Sequence, residues 1–548
     1  MKKLFAMVMS AVLITAAGCA QQTTGSSSET TAATTAATTA ATTAATTAAT
    51  TPAVTNLNKP DMARWQYNAE YDLYYQIGID YCEKPADTHY EQLSVFVPAA
   101  YVSAKANGDG TYTCEMNENA EINGYTAANA PIVMPVFTEG YAAAQALTED
   151  FLNGYKGFTE ALSAYTAQGF VYVYAGCRGI DEGAPLGVAD LKAAVRYVRY
   201  SDDVLPGNAE NIFAFGMSAG GALASVLGAS GNSPLYTPYL DAIGAVQGVS
   251  DAVAGVMAWC PVTDLDTANA AYEWMMGCSR QGRSEEWNKI SDKLAAAYAD
   301  YVNSAGFTDE DGKPLTLESS QSGIYQAGSY YEYIKSVIER SLNNYLSDAK
   351  LTGSAAQDYI NGLNADKKWI TYDQSTNTAA VTSVEDFVKA CKNASELPVA
   401  FDWPGSGNTL FGKSNGRGAH FDKILSGVLT ELNSEYAAEY AADMNITDSL
   451  GTSVEQRVKM YAPLYYVLKS SEGYGTSAVA RHWRIRSGIE QPTTSLTTEV
   501  NMALALQHCD GVESVDFETV WELSHDKAER EGDSTENFIL WVKQCAKG

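Results

Sequence analysis

The sequence is short of histidine, of basic residues and of long apolar runs. Only five histidines occur in 548 residues, at positions 89, 420, 482, 508 and 525, which leaves few candidates for chemistry that needs an imidazole. Lysine and arginine together number 36 against 65 aspartates and glutamates, a formal charge of −29. That balance excludes the basic footprint of a nucleic-acid binder and indicates an acidic, soluble surface. There is no G-x-G-x-x-G, no Walker loop and no H-E-x-x-H, so no motif supports a nucleotide or catalytic zinc, and no cofactor is expected. None of the nine cysteines forms a C-x-x-C pair, which argues against a zinc knuckle; their spacing fixes neither pairing nor reduction. Asp309-Glu310-Asp311-Gly312 lacks the spacing of a calcium loop and reads as an acidic turn. No metal is expected.

Tyrosine, by contrast, is abundant. The 34 tyrosines suit carbohydrate or aromatic ligands and suit ordinary packing equally well.

The N-terminus is built for export. Met1-Lys2-Lys3 precedes an apolar run from Leu4 to Ala17, too short for the roughly 18 or more residues that span a bilayer. Ala16-Ala17-Gly18-Cys19 resembles a bacterial lipobox, with Ala16 where a larger aliphatic residue is usual. This makes Cys19 the expected lipidation site and 1–19 a lipoprotein-type signal. Residues 20–55 are a Thr/Ala-rich tract with no aromatic residue. Such a tract cannot bury enough apolar surface to offset its ordering entropy, and a disordered tether is expected. Membrane association is expected only through the lipid.

Strand and helix patterns then alternate. Glu91–Pro98, Thr111–Glu115, Pro131–Phe137 and Gly169–Tyr174 read as strands, and 148–168 and Asp190–Tyr200 as helices. Asn211–Phe215 and Gly255–Cys260 are further buried strands. From 266 to 465 the rhythm lapses into Tyr- and Ala-rich helical segments such as 285–303 and 329–349. It returns with strand Arg481–Arg486, helix 496–507, strand Val512–Phe517 and a closing helix at 534–546. The expected architecture is an α/β-hydrolase fold, a mostly parallel sheet flanked by helices. Its core comprises 56–265 and 466–548, interrupted by a mainly helical lid insertion at 266–465.

Gly216-Met217-Ser218-Ala219-Gly220 carries the chemistry. It follows the strand Asn211–Phe215 and precedes the helix-like Ala222–Leu227, the setting of a nucleophile elbow. A serine hydroxyl needs a base. In this fold the base follows the last strand, which selects His525. His508 reads as helix-terminal, His482 as structural, His420 as a candidate pocket residue of the lid and His89 as a surface residue. The acid belongs in the loop after Arg486, where Glu490 is the only carboxylate before Ser495. Asp264 is the runner-up, whereas Asp251 and Asp266 read as turn or capping residues. One oxyanion donor is expected from the amide of Ala219 and the other from Glu139 or Gly140, by position alone. Arg178 and Gly179 read as bracing.

Several stretches together resemble the bacterial tannase-like (subtype B) branch of α/β-hydrolase serine esterases. They are Asp190–Tyr197, Leu205-Pro206-Gly207, Gly216–Gly221, Cys260–Leu265 with Ala271–Trp274, and His482–Gly488. The likeness spans roughly 90–280 and 455–548. It implies hydrolysis of carboxylic esters, galloyl esters included, with Ser218 as nucleophile and His525 as base. The family's Asp-x-Asp-Thr-Ser-like stretch supplies a catalytic aspartate and one that contacts galloyl hydroxyls. Here Gln491 and Thr493 stand at those positions, ahead of Thr494-Ser495, which leaves Glu490 as substitute acid. The expectation is therefore a surface-anchored serine esterase acting on a small-molecule ester, of an aromatic acid or of acetylated plant material. Two alternatives are an exopeptidase on the same fold and a lipoprotein that binds a ligand in a degenerate pocket.

Overall fold

Runs in which every residue is apolar and buried make the centre of the sheet. The computed structural model describes residues 55–277, 283–321, 324–392, 410–414, 417, 418, 420–492 and 494–546. The signal, Cys19, almost all of the tether, and Thr493 lie outside them. Nine strands form the main sheet: β1 Gln66–Asn68, β2 Leu73–Asp80, β3 Gln92–Pro98, β4 Ile132–Val136, β5 Val171–Ala175, β6 Ile212–Met217, β7 Gly255–Trp259, β8 His482–Gly488 and β9 Ser514–Val520. Their order is β1-β2-β3-β5-β4-β6-β7-β8-β9. From β5 to β9 all neighbours are parallel, while β1, β2 and β3 add an antiparallel edge. β4, β5 and β7 are buried along their whole length, as strands covered by helices on both faces must be.

Pro135 sits inside β4 without breaking it. Pairing with β5 involves only Ile132 and Val133, while pairing with β6 runs on to Val136. The ring thus falls where the ladder on one side has already ended.

Two sequence expectations shift. Tyr112–Met116 is a strand, but it pairs with Val102–Ala106 in a separate hairpin outside the main sheet. The stretch 148–168 is two helices, Glu149–Gly154 and Lys156–Thr166, broken at Tyr155.

The helices that position the site are α1 Leu186–Tyr200, α2 Ala219–Ala229, α3 Leu265–Met276, α4 Glu285–Ala305, α5 Ser329–Asp348, α6 Val384–Cys391, α7 Leu496–Gln507 and α8 Ser534–Cys545. β7 and β8 are neighbours in the sheet, yet everything from Cys260 to Arg481 lies between them. Among the described residues that excursion holds helices joined by loops, and its strands form only short hairpins such as Ile370–Asp373 with Thr378–Val381. It is stitched to the core by buried polar contacts. The Tyr298 and Tyr330 hydroxyls lie 2.8 Å apart and both bond the Asn501 side chain of α7. Ser341 donates to the Thr519 carbonyl of β9 at 2.9 Å. Tyrosines here satisfy their hydroxyls while packing their rings, so these two serve the seam between the inserted helical region and the core.

Candidate active site

Ser218 closes β6 and opens α2 with φ 57° and ψ −124°, a positive-φ setting that costs a non-glycine residue of order 1–3 kcal/mol. The glycines around it make that turn possible. A Cβ on Gly216 would fall 2.4 Å from the Gly220 backbone, and one on Gly220 would fall 2.2 Å from the Val136 carbonyl oxygen. The Ser218 amide is tied to the Trp259 carbonyl at 2.9 Å.

His525 Nε2 lies 2.8 Å from Ser218 Oγ. The structure brings together these two residues, 307 positions apart in the chain. Burial depresses the imidazole pKa below its ordinary value, and Asp526 opposes that only in part. The ring is therefore neutral, and able to accept a proton, down to lower pH than a free histidine.

Gln491 stands at the other ring nitrogen. Its Oε1 lies 2.9 Å from His525 Nδ1, and its Nε2 donates to Glu499 Oε1. That orientation places an acceptor at Nδ1, which holds the ring proton there and leaves the Nε2 lone pair towards the serine. Glu499, on α7, is fully buried and also accepts from Ser487 Oγ at 3.0 Å. Burial pushes its carboxyl up to about 7 against the opposing pull of Lys392 and of the Ser487 and Gln491 hydrogen bonds. Lys392, just past α6, donates to the Ile489 carbonyl at 3.1 Å, and burial lowers its pKa to about 8.

The expectation for Glu490 is corrected. The Nδ1 position belongs to its neighbour Gln491: the chain turns directly after β8, with the Gln491 amide 3.3 Å from the Gly488 carbonyl, and it is 491 that this turn brings to the histidine. Glu490 is half-buried and faces Glu522, Lys392 and Cys391, and burial raises its pKa. Asp264, the other acid considered, has φ 52° and accepts from the Thr263 hydroxyl at 2.9 Å and the Leu464 amide at 3.0 Å. Burial, then the charge of Asp266, raise it to about 7. Asp251 is no turn residue either: it is buried between Lys192 Nζ at 2.8 Å and Arg196 at 2.8 Å. Asp266 lies in the first turn of α3, whose N-cap position is held by Asp264.

Ala219 is the first residue of α2, and Glu139–Tyr141 forms a single 3-10 turn with Gly140 at φ 58°. A Cβ on Gly220 would also come within 3.6 Å of the Thr138 amide nitrogen, so this turn abuts the elbow. The amides of Ala219, Glu139 and Gly140 make no backbone hydrogen bond among the described residues.

The loop bearing His525 is clamped to the sheet. Glu529 accepts two bonds from the Arg484 guanidinium, at 2.7 and 2.6 Å, and one from Trp259 Nε1 at 2.9 Å. Cys260 Sγ lies 3.2 Å from the Asp526 carbonyl oxygen and 3.4 Å from the Gly488 amide.

The other histidines lie elsewhere. His420 is held by Asp443 at 2.8 Å and stacks on Tyr440 within the inserted region. His482 meets Ser514, His508 lies against the Asp309 carbonyl, and His89 is exposed beside Asp87. Arg178 grips Asp190 of α1 through its Nε at 3.0 Å and Nη2 at 2.6 Å, the bracing role expected of it. Seven cysteines among the described residues are free thiols. Sequence reasoning missed Glu499 and Lys392. The available signal was a lone carboxylate in the otherwise uncharged helix Leu496–Gln507.

The family described as BD-FAE, an α/β-hydrolase esterase family, matches residues 126–319. No curated protein matches the chain by sequence. Among solved structures, Fusobacterium nucleatum tannase is 28% identical with a TM-score of 0.67, over 86% of this chain and 95% of that one. A tannin acyl hydrolase in complex with 3,4-dihydroxybenzoate is 26% identical with a TM-score of 0.65, over 86% of this chain and 94% of that one. The tannin acyl hydrolase from Lactobacillus plantarum is 25% identical with a TM-score of 0.65, over the same shares. The chain has the α/β-hydrolase fold with an inserted helical region and resembles the bacterial tannases. These likenesses support a carboxylic ester hydrolase.

Proposed function

We propose that this chain is an exported serine esterase that cleaves esters of aromatic acids through an acyl-enzyme. The observation that carries the reading is the 2.8 Å contact between Ser218 Oγ and His525 Nε2, at a strained elbow in a fold that resembles tannin acyl hydrolases. Ser218 attacks the ester carbonyl carbon and its proton passes to His525 Nε2. The amides of Ala219 and of Glu139 or Gly140 receive the carbonyl oxygen as it becomes negative. The alcohol leaves with the proton from Nε2. Water, deprotonated by the same nitrogen, then releases the acid. Gln491 Oε1 accepts a hydrogen bond from the protonated Nδ1 throughout. It replaces a carboxylate at the position that in tannase-like proteins is acidic, and Thr493 replaces the second. An acyl group with fewer phenolic hydroxyls than gallate, such as a hydroxycinnamate, fits these changes.

Export rests on the signal-like 1–19 segment, and surface anchoring on lipidation of Cys19. No helix among the described residues is long and apolar enough to cross a membrane.

The neutral Gln491 favours one rival, a ligand-binding lipoprotein with an inactive pocket. Fluorophosphonate labelling separates the two. An esterase is labelled at Ser218 and hydrolyses short nitrophenyl esters, and Ser218→Ala abolishes both. An unlabelled wild-type protein refutes the proposal. A panel of acetyl, feruloyl and galloyl esters then identifies the acyl group.

A further inference from the structure

We propose that Glu499 is the ionised member of this site and acts on His525 through the side-chain amide of Gln491, as a positioning residue that selects the imidazole tautomer. The inference rests on the serine-esterase reading above and assigns it a fourth participant.

His525 serves Ser218 only if Nε2 carries a lone pair, so the ring proton must sit on Nδ1 and find an acceptor there. A glutamine does not guarantee one. Its amide can present either oxygen or NH2, and the second would force the proton onto Nε2. The far end of the amide decides. Glu499 Oε1 lies against Gln491 Nε2 and Ser487 Oγ, two donors. An ionised carboxylate only accepts, so it holds the NH2 group on its own side and turns Oε1 towards His525, where it lies 2.9 Å from Nδ1. Protonated Glu499 can donate to Gln491 Oε1 instead. The amide then reverses, its NH2 faces Nδ1, and Nε2–H points at the serine: a dead tautomer. The same carboxylate places a negative charge behind the imidazolium that forms during acyl transfer, which glutamine alone cannot supply.

The groups facing Glu499 agree with a charged state near neutrality. Ser487 comes from β8, Gln491 from the following loop, the Cys260 thiol from the end of β7 and the Lys392 ammonium from the end of α6. Lys392 has Glu490 and Cys391 also within its field. From α4 and α5, Tyr298 and Tyr330 turn to Asn501 instead. Burial raises Glu499 to about 7 and lowers His525 below its ordinary value, so both groups bear on the acid side of the pH profile.

The test is the pH dependence of nitrophenyl-ester hydrolysis by the whole chain, for wild type, Glu499→Gln, and the exchange variant Gln491→Glu with Glu499→Gln. In wild type two groups must lose protons, so the acid limb is steeper than one proton. In Glu499→Gln we expect kcat to fall about 10–100-fold with KM within about twofold, less than the ~10⁴ of a direct acid-to-amide change. The acid limb becomes a one-proton limb and moves to lower pH. The exchange variant returns a carboxylate to Nδ1 and restores kcat to within about tenfold of wild type. An unchanged kcat and acid limb in Glu499→Gln overturns the proposal, as does a folded exchange variant no more active than Glu499→Gln. If Glu499→Gln does not fold, the ¹⁵N shifts of His525 in wild type decide: Nδ1–H near pH 8 supports the relay and Nε2–H overturns it. A wild type that is neither labelled nor active refutes the esterase reading itself, a result distinct from an active wild type indifferent to Glu499.

Discussion

A Cβ on Gly488 would lie 1.8 Å from the carbonyl oxygen of Ser524. The end of β8 and the loop that carries His525 therefore touch backbone to backbone, and the His525–Ser218 distance depends on there being no side chain at 488. Gly488→Ala should push the loop outward. Misplacing a reacting group by about 1 Å costs roughly 10²-fold, so kcat should fall by about that factor. Fluorophosphonate labelling of Ser218 should slow in step. Labelling at the wild-type rate would show that the loop accommodates the methyl group.

The clamp on the other side of that loop is ionic. Arg484 and Glu529 are both buried and joined by two hydrogen bonds. Arg484→Met leaves Glu529 with its hydrogen bonds from Trp259 at 2.9 Å and Asn537 at 3.1 Å and with the Arg486 guanidinium 3.9 Å away as its ionic partner. Breaking a buried pair costs about 3–5 kcal/mol, and Arg486 should hold the loss to the lower end of that range. Urea unfolding should show it, with hydrogen exchange rising first in 524–531.

At the acid position, two adjacent substitutions should behave oppositely. Gln491→Ala removes the acceptor at His525 Nδ1 and should lower kcat about 10²-fold. Glu490→Gln, whose side chain faces Lys392 and Glu522, should stay within about twofold of wild type. Steady-state kinetics on one ester decides; equal losses would return Glu490 to the site.

Asp264 gives a stability prediction with a definite sign. Burial and then Asp266 raise its carboxyl to about 7, above the ~3.9 of an unfolded chain. The folded state thus holds a proton that the unfolded state releases. The stability it contributes is full below about pH 4 and is lost as pH rises through about 7. Asp264→Asn, which keeps an acceptor for the Leu464 amide, should melt like wild type near pH 4 and above it at pH 8. A difference that does not change with pH would contradict this.

Much of this arrangement is legible in the residues. Gly216–Gly221 between a strand and a helix fixes the elbow, because only glycines permit its backbone approaches. His525 follows from its place after the last strand. The edge strands β1 and β2 are not legible: β2 mixes buried and exposed residues without clean alternation. The strand-like Tyr112–Met116 gives no hint that it pairs outside the main sheet. The acid position fails by one residue, since a carboxylate at 490 looks better suited than an amide at 491 until the turn after β8 shows which side chain meets the histidine. Glu499 is hidden for a different reason. It acts through another side chain, and no local pattern encodes that.

β7 and β8 lie side by side, yet Cys260–Arg481 is threaded between them. The insertion therefore departs from and rejoins the core at one doorway, and its removal need not break a single ladder of the sheet. Ser218 and His525 both lie outside the inserted stretch. An insertion joined at one doorway can change in length or sequence without changing the order of the sheet's strands.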